Sequence, residues 1–350
     1  MNAKPSEVQH EKKEEAMNRS DLRAMRWLRA IAAAAACAVL SLHAAFAAEG
    51  DDYPKRPVKL ILPNAAGSSS DTIGRIMAQA LGEELGQAVV VENIAGAGGT
   101  IAMDTAKNAP PDGYTLVVAT PSGTSIAANL RKNLRYDPIA DFQYISTYAV
   151  VPNLLVVNPK LPVKTLQELM DYAKANKGDT FMASAGPGSQ SHLAGAMLLH
   201  MGGFPSVHVP YKGGGPQVIA VMAGEAQWTI TPASSVVGHT RTGKLRAIAQ
   251  SLPQRTPLLP DVPAVAETIP GFSYSGWNGL LAPKGTPPAV VSRIRAALEK
   301  ALAKPKLKEA FERQAAEPTT DTPEEFRKMV EAETRATADL VKASHITIEK

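Results

Sequence analysis

Cysteine is nearly absent: the 350 residues hold one, Cys37, and a lone thiol can close no disulfide within the chain. Aromatic residues are scarce at 5%, too few for the stacking platforms that hold single-stranded nucleic acid. Neither sign of charge dominates. Lysine and arginine number 37 against 33 acidic residues, and no basic run forms a stripe that could track a phosphate backbone; a nucleic-acid partner is not expected. No apolar stretch reaches the ~20 residues that cross a bilayer. Signatures of cofactor and hydrolytic chemistry are missing as well. There is no Gly-x-x-x-x-Gly-Lys-Ser/Thr, no Gly-x-Ser-x-Gly and no His-Glu-x-x-His. Gly96-Ala97-Gly98 is followed by Ile101 where a dinucleotide-binding turn needs a third small residue. Neither a cofactor nor a bound metal is expected. What remains is ordinary for a globular protein, 45% apolar and 20% charged, and long enough for two domains or three small ones, each with its own core.

The first 47 residues read as an export signal rather than as fold. Arg19, Arg23, Arg26 and Arg29 precede an apolar, alanine-rich run from Ile31 to Leu42, and Ala45-Phe46-Ala47 supplies a small-x-small cleavage site. The charged stretch before Met17 reads as an upstream extension, with Met17 or Met25 as alternative starts. Cys37 sits inside the apolar run behind three alanines and lacks the leucine of a lipidation site, so it leaves with the signal. The expected mature chain is nearly neutral, free of thiols, exported and soluble.

Short β-rich runs then alternate with segments of helical periodicity, the pattern of layered α/β architecture. Strands are predicted at residues 58–62, 87–92, 114–119, 154–158, 181–184, 206–209, 227–231 and 245–250. Apolar residues recur at helical spacing in Ile73, Ile76, Met77, Ala80, Leu81 and Leu85, behind an expected cap at Asp71. They do so again in Leu166, Leu169, Met170 and Ala173 behind Thr165, and in Leu193, Ala194, Met197, Leu198 and Met201 ahead of Gly202-Gly203. Two more helices are expected after Leu280-Leu281-Ala282, the last opening at Thr322-Pro323-Glu324-Glu325. Boundaries near Val151-Pro152 and between Gly271 and Trp277 divide the chain into a first domain, 53–152 plus 278–350, and a second, 153–277. Two crossings between domains make a cleft with a hinge that can close on a ligand.

One feature recurs: a strand ends, a turn rich in Gly, Ser and Thr follows, and a helix begins. It stands at Asn64-Ala65-Ala66-Gly67-Ser68-Ser69-Ser70-Asp71, at Ala95-Gly96-Ala97-Gly98-Gly99-Thr100, at Thr120-Pro121-Ser122-Gly123-Thr124-Ser125, at Ser184-Ala185-Gly186-Pro187-Gly188-Ser189-Gln190-Ser191-His192, at Tyr211-Lys212-Gly213-Gly214-Gly215-Pro216, and more weakly at Thr231-Pro232-Ala233-Ser234. Free amides at a helix start, with hydroxyls alongside, accept an anion, and in open α/β sheets such turns gather where ligands bind. His192, at the end of the Ser-rich turn that begins at Ser184, is expected to order the loop or to donate to a ligand. A hydrolase built on Ser189 and His192 is the rival reading. His208, between two valines, reads as a strand residue rather than a metal ligand.

With these motifs collected, the chain from Tyr53 onward resembles the extracytoplasmic solute receptors of the tripartite tricarboxylate transporter family, the Bug proteins. The resemblance rests on residues 89–99 (VVVENIAGAGG), Pro111-Asp112-Gly113-Tyr114, Tyr136-Asp137-Pro138 and residues 183–194 (ASAGPGSQSHLA). Val209-Pro210-Tyr211-Lys212-Gly213, Gly243-Lys244-Leu245-Arg246-Ala247, Leu259-Pro260-Asp261-Val262-Pro263 and residues 277–287 (WNGLLAPKGTP) complete it. It implies an α/β, two-domain Venus-flytrap binding protein without catalysis, with a hinge and a central cleft. Such a receptor holds a small di-, tri- or aromatic carboxylate and delivers it to membrane permease subunits; a periplasmic carboxylate sensor would use the same cleft. Site residues carried over by the resemblance and the turns are Ala65, Ala66, Gly67, Ser68, Ser69, Ser70, Ser122, Thr124, Ser184, Gly186, Gly188, Ser189, His192, Tyr211 and Thr231. Ser125 stands where such receptors often carry His. Gly224-Glu225-Ala226-Gln227 replaces a more acidic stretch, which disfavours an amino-acid ammonium. Trp228 reads as a core residue; on the cleft it would favour a flat ligand.

Overall fold

The computed structural model describes residues 53–343. The export segment expected at residues 1–47, with Cys37, Met17 and Met25, lies outside the described residues, as do the last positions of the expected first domain. Strand β1 (Val58–Leu62) runs between β2 (Val89–Asn93) and β3 (Thr115–Ala119), parallel to both. Helix α1 (Ser69–Leu85) makes the crossover from β1 to β2, and α2 (Thr100–Lys107) the one from β2 to β3. Leu60, Ile61 and Leu62 are buried, as a parallel strand covered by helices on both faces requires.

Helix α3 (Ser125–Leu130) leads to β4 (Phe142–Val157), a 16-residue strand that joins two strand sets. Through Pro152 it pairs antiparallel with β9 (Ser275–Pro283), which in turn pairs with β3. From Asn153 onward the same strand pairs instead with β7 (Trp228–Pro232) and β8 (Arg246–Gln250). The second set continues through β5 (Phe181–Ser184) and β6 (Val207–Pro210), both parallel in sense to β7. Its crossovers are α4 (Leu166–Ala175), α5 (Gln190–Gly202), α6 (Gly214–Ala223) and the short α7 (Val237–Arg241). Among the described residues the sheet runs β2-β1-β3-β9-β4-β7-β5-β6, with β8 and the two-residue β10 (Glu317–Pro318) also on β4. Three helices, not the two expected, follow β9: α8 (Pro288–Ala303), α9 (Pro305–Glu312) and α10 (Pro323–Ala343). The predicted strand at 154–158 is thus the end of a much longer one.

Asn153 stands where β4 changes partners. Its amide donates to Ser251 Oγ at 2.8 Å and its side chain to the Tyr274 carbonyl at 3.1 Å, so the outgoing and returning strands are tied together where they cross. Each set has its own core. Ile61, Met103, Val117, Tyr144, Leu281 and Phe326 fill the first; Leu155, Leu169, Leu198, Trp228, Ile248 and Phe272 fill the second. Trp228 is fully buried there, its indole N–H on Ser206 Oγ at 3.1 Å, so it cannot shape a ligand. A small apolar cluster of Ile126 and Leu130 from α3 with Leu193 from α5 bridges the sets. The described residues from Pro54 on belong to one compact unit, and none of their helices is long and apolar enough to cross a membrane.

Candidate functional site

The turn after β1 is built around a buried carboxylate. Ser68, not the expected Asp71, is the N-cap of α1, its hydroxyl accepting from the Asp71 amide at 3.3 Å. Asp71, in the first turn, accepts from the Gly67 amide (2.9 Å), Arg75 Nε (2.8 Å) and Asn93 Nδ2 (2.9 Å). Gly67 makes the bend at φ 79°, a left-handed conformation that suits glycine. Ser70 Oγ donates to Asn64 Oδ1 at 2.7 Å. The amides of Ser69 and Ser70, first in the helix, have no acceptor within it and lie at its positive end.

The turn after β5 repeats the plan with different chemistry. Ser189 caps α5, accepting from the His192 amide at 3.2 Å. The turn satisfies several of its own donors: the Ala185 amide reaches Ser191 Oγ (3.0 Å), Gly186 reaches Ser184 Oγ (3.1 Å) and Gly188 reaches His192 Nδ1 (3.2 Å). Ser184 Oγ also meets His208 Nε2 at 2.6 Å, and the two imidazoles stack with ring centres 4.2 Å apart. Burial, reinforced by His208, lowers the His192 pKa to about 4, and burial lowers that of His208. His192 is therefore neutral near pH 7, as an Nδ1 that accepts a hydrogen bond must be.

Between these two turns lies a cavity of about 70 Å³. Ser68, Ser69, Ser70 and Asn64 line it from the first strand set, and Ser189, Gln190, Ser191, Gln217 and Thr231 from the second. Thr120, Ser122, Ser235, Trp277 and Asn278 add further polar groups. Its lining holds no ionisable side chain. Two hydrogen bonds close the cavity across the strand sets: the Gln190 amide to Ser122 Oγ at 3.0 Å, and Ser234 Oγ to Ser69 Oγ. Such a site can bind an anion only through neutral donors, and it has no carboxylate with which to hold an ammonium group.

Residues 73–346 match the family model described as "Tripartite tricarboxylate transporter family receptor". The chain belongs to this family. It is 35% identical over 294 residues to protein BugT of Bordetella pertussis, covering 83% of this chain and 90% of BugT. Among solved structures it is similar to "R. palustris Rpa4515 with adipate", at 31% identity and a TM-score of 0.81 over 85% of this chain and 99% of that one. It is also similar to MatC from Rhodopseudomonas palustris "with bound malate", at 31% identity and a TM-score of 0.78 over 83% and 100% of the two chains. The fold is that of the two-domain periplasmic binding proteins, and the chain is a solute-binding receptor of the Bug type. The matched relatives are binding receptors rather than enzymes.

Within this receptor, Ser68, Ser69, Ser70, Ser122, Ser189 and Thr231 of the expected site residues line the cavity. The other nine expected residues do not line it. Thr124 is fully buried and its hydroxyl donates to the Thr120 carbonyl at 2.9 Å. Ser184, Gly186, Gly188 and His192 brace one another behind the turn, as described above. Ala65, Ala66 and Gly67 form the outer bend, and the Tyr211 amide donates to the Ser184 carbonyl at 2.9 Å. The Ser189–His192 dyad of the hydrolase reading is not assembled: Ser189 Oγ accepts from the His192 main chain and meets Ser191 Oγ at 3.2 Å, while His192 Nδ1 faces Gly188. Gln217, Trp277 and Asn278 line the cavity without being marked by any turn motif. Trp277 and Asn278 sit inside the 277–287 stretch that marks the family, but that stretch carries no turn signal, and Gln217 lies within a helix.

Proposed function

We propose that this receptor is exported to the periplasm by residues 1–47 and binds a small carboxylate in the cavity between the two turns. It then hands that carboxylate to the membrane permease subunits of a tripartite tricarboxylate transporter. The domains that close on the ligand are 53–152 with 278–350, and 153–277. One observation carries the reading: a cavity without ionisable groups, lined by hydroxyls and helix-start amides from both strand sets. The Rpa4515 and MatC structures, named with adipate and malate, support a carboxylate. The ligand's carboxylate accepts from the Ser69 and Ser70 amides and from nearby hydroxyls. Charge-assisted hydrogen bonds contribute roughly 1.5–3 kcal/mol each. About four of them give roughly 6–12 kcal/mol before the costs of ordering and closure, which brackets the ~8 kcal/mol of micromolar affinity, so an arginine clamp is not required. A ligand pocket is commonly about 300–1,000 Å³, so the ligand enters when the domains part and the Gln190–Ser122 and Ser234–Ser69 contacts break.

A thermal-shift panel of mono-, di- and tricarboxylates, aromatic acids and amino acids tests the proposal. A carboxylate that raises the melting temperature with micromolar affinity by calorimetry supports it. Stabilisation by amino acids or sugars with none by any carboxylate rejects it. Uptake of the labelled ligand in a strain lacking the gene separates transport from sensing.

A further inference from the structure

Four carboxamides line the cavity: Asn64, Gln190, Gln217 and Asn278. Two are used by the protein. Gln217 Oε1 accepts from Ser191 Oγ at 3.2 Å, and its Nε2 faces the Ala183 carbonyl at 3.4 Å and the Thr229 hydroxyl. Asn64 Oδ1 accepts from Ser70. The other two are not used. Gln190 Nε2 is buried without a hydrogen-bond partner, and the side chain of Asn278, a residue only 3% exposed, makes no hydrogen bond among the described residues. The Gln190 main-chain amide is held by Ser122.

Both carboxamides reach the cavity beside β9. A Cβ placed on Gly276 would collide with Gln190 Nε2; the amide lies flat against that glycine because it has no side chain. Asn278 follows two residues along β9, on the same face of the strand. A buried amide left unpaired costs roughly 1–3 kcal/mol, so a ligand group that pairs with it recovers that loss.

We infer that Gln190 and Asn278 form the second recognition element of the cleft and select a carboxylate carrying an uncharged group that both donates and accepts a hydrogen bond, a hydroxyl above all. This rests on the carboxylate reading of the same cavity. A carboxamide offers an N–H donor and a C=O acceptor, and a hydroxyl uses both. A methylene in that place leaves both orphaned, which is why sites built around a hydroxyl reject the analogue lacking it. A second carboxylate could use only the donors, and the lining holds no cation to offset its desolvation.

Calorimetric titration of the full mature chain with matched acids tests the inference: succinate against malate, glutarate against 2-hydroxyglutarate, propionate against lactate. The hydroxylated member of at least one pair is expected to bind ten-fold or more tightly. Gln190→Met and Asn278→Leu should each bring that ratio down at least five-fold. Gly276→Ala should do the same while both carboxamide residues are kept, its methyl group displacing the Gln190 amide, and circular dichroism melts check that all three variants fold. No preference for the hydroxyl in the wild type, or a ratio that survives in all three variants, overturns the inference while leaving the carboxylate reading intact. Failure of every acid to bind overturns both.

Discussion

The main-chain amide of Gln190 donates to the hydroxyl of Ser122 at 3.0 Å, joining the start of α5 to the turn after β3 across the cavity. A single neutral hydrogen bond of this kind contributes about 1 kcal/mol. That is enough to shift a balanced opening equilibrium several-fold.

Ser122→Ala removes that acceptor and is expected to favour the open form. Small-angle X-ray scattering without ligand should give a larger radius of gyration than for the wild type. A saturating carboxylate should restore the wild-type value. Identical scattering of the two proteins without ligand would count against Ser122 as a closing contact.

Asp71 orders its turn without lining the cavity. Asp71→Ala leaves the Gly67 amide, Arg75 and Asn93 without their common acceptor, at an expected loss of about 2–3 kcal/mol. Urea unfolding should show a lower midpoint with an unchanged slope. Carboxylate affinity should fall with it, because the Ser69 and Ser70 amides are aimed by that turn.

Ser189 has two roles. As the cap of α5, its loss in Ser189→Ala costs about 1 kcal/mol of stability; as a cavity hydroxyl, its loss weakens carboxylate binding by about 1–2 kcal/mol. Thr165→Ala is the control. Thr165 caps α4 by accepting from the Glu168 amide at 3.1 Å, and it does not line the cavity. Equal loss of affinity in both variants would mean that Ser189 acts only through stability.

Two buried groups set opposing pH dependences. The Glu333 carboxyl faces Ser125 Oγ at 2.8 Å and the Trp277 indole N–H at 3.2 Å. Its burial outweighs these two donors and raises its pKa to about 7. The folded state then holds a proton that the unfolded chain releases near pH 4.5, so this group's stabilisation is complete below pH 4.5 and is lost as the pH climbs to 7. His192, lowered to about 4 from 6.5, acts the other way: its stabilisation is present above pH 6.5 and is lost as the pH falls to 4. Each is worth about 3 kcal/mol, so between pH 4.5 and 6.5 Glu333 offsets most of the rise in stability that His192 contributes. In Glu333→Gln, urea stability should instead rise across that range. An unchanged pH profile in the variant would refute the role of Glu333.

Several parts of the site are legible in the sequence. Ser68, Ser69, Ser70, Ser122 and Ser189 occupy turns where a β-rich run gives way to helical periodicity, and helix starts expose amides wherever they occur. Thr165 and Thr322 mark helix starts on the same grounds, and both hydroxyls accept from the residue three positions on. The roles of the glycines are not legible there. Gly186 and Gly188 look like open donors in the sequence, yet the hydroxyl of Ser184 and the imidazole of His192 take up their amides. Local composition counts donors but not the acceptors that fold back onto them.

The sequence by itself determined the α/β alternation, the Gly- and Ser-rich turns at helix starts, and, through its ordered motifs, the family. Tertiary structure alone decided that β4 runs on from one strand set into the other, that Trp228 is core while Asn278 lines the cavity, and that Gln190 Nε2 stays unpaired. The reason is the range over which each is set. Caps and turns are settled by interactions a few residues apart, and their cause is written locally. Which face of a strand meets a cavity depends on register with distant partners, such as Ala149 opposite Asn278, and a shift of one residue there would turn every side chain to the other side.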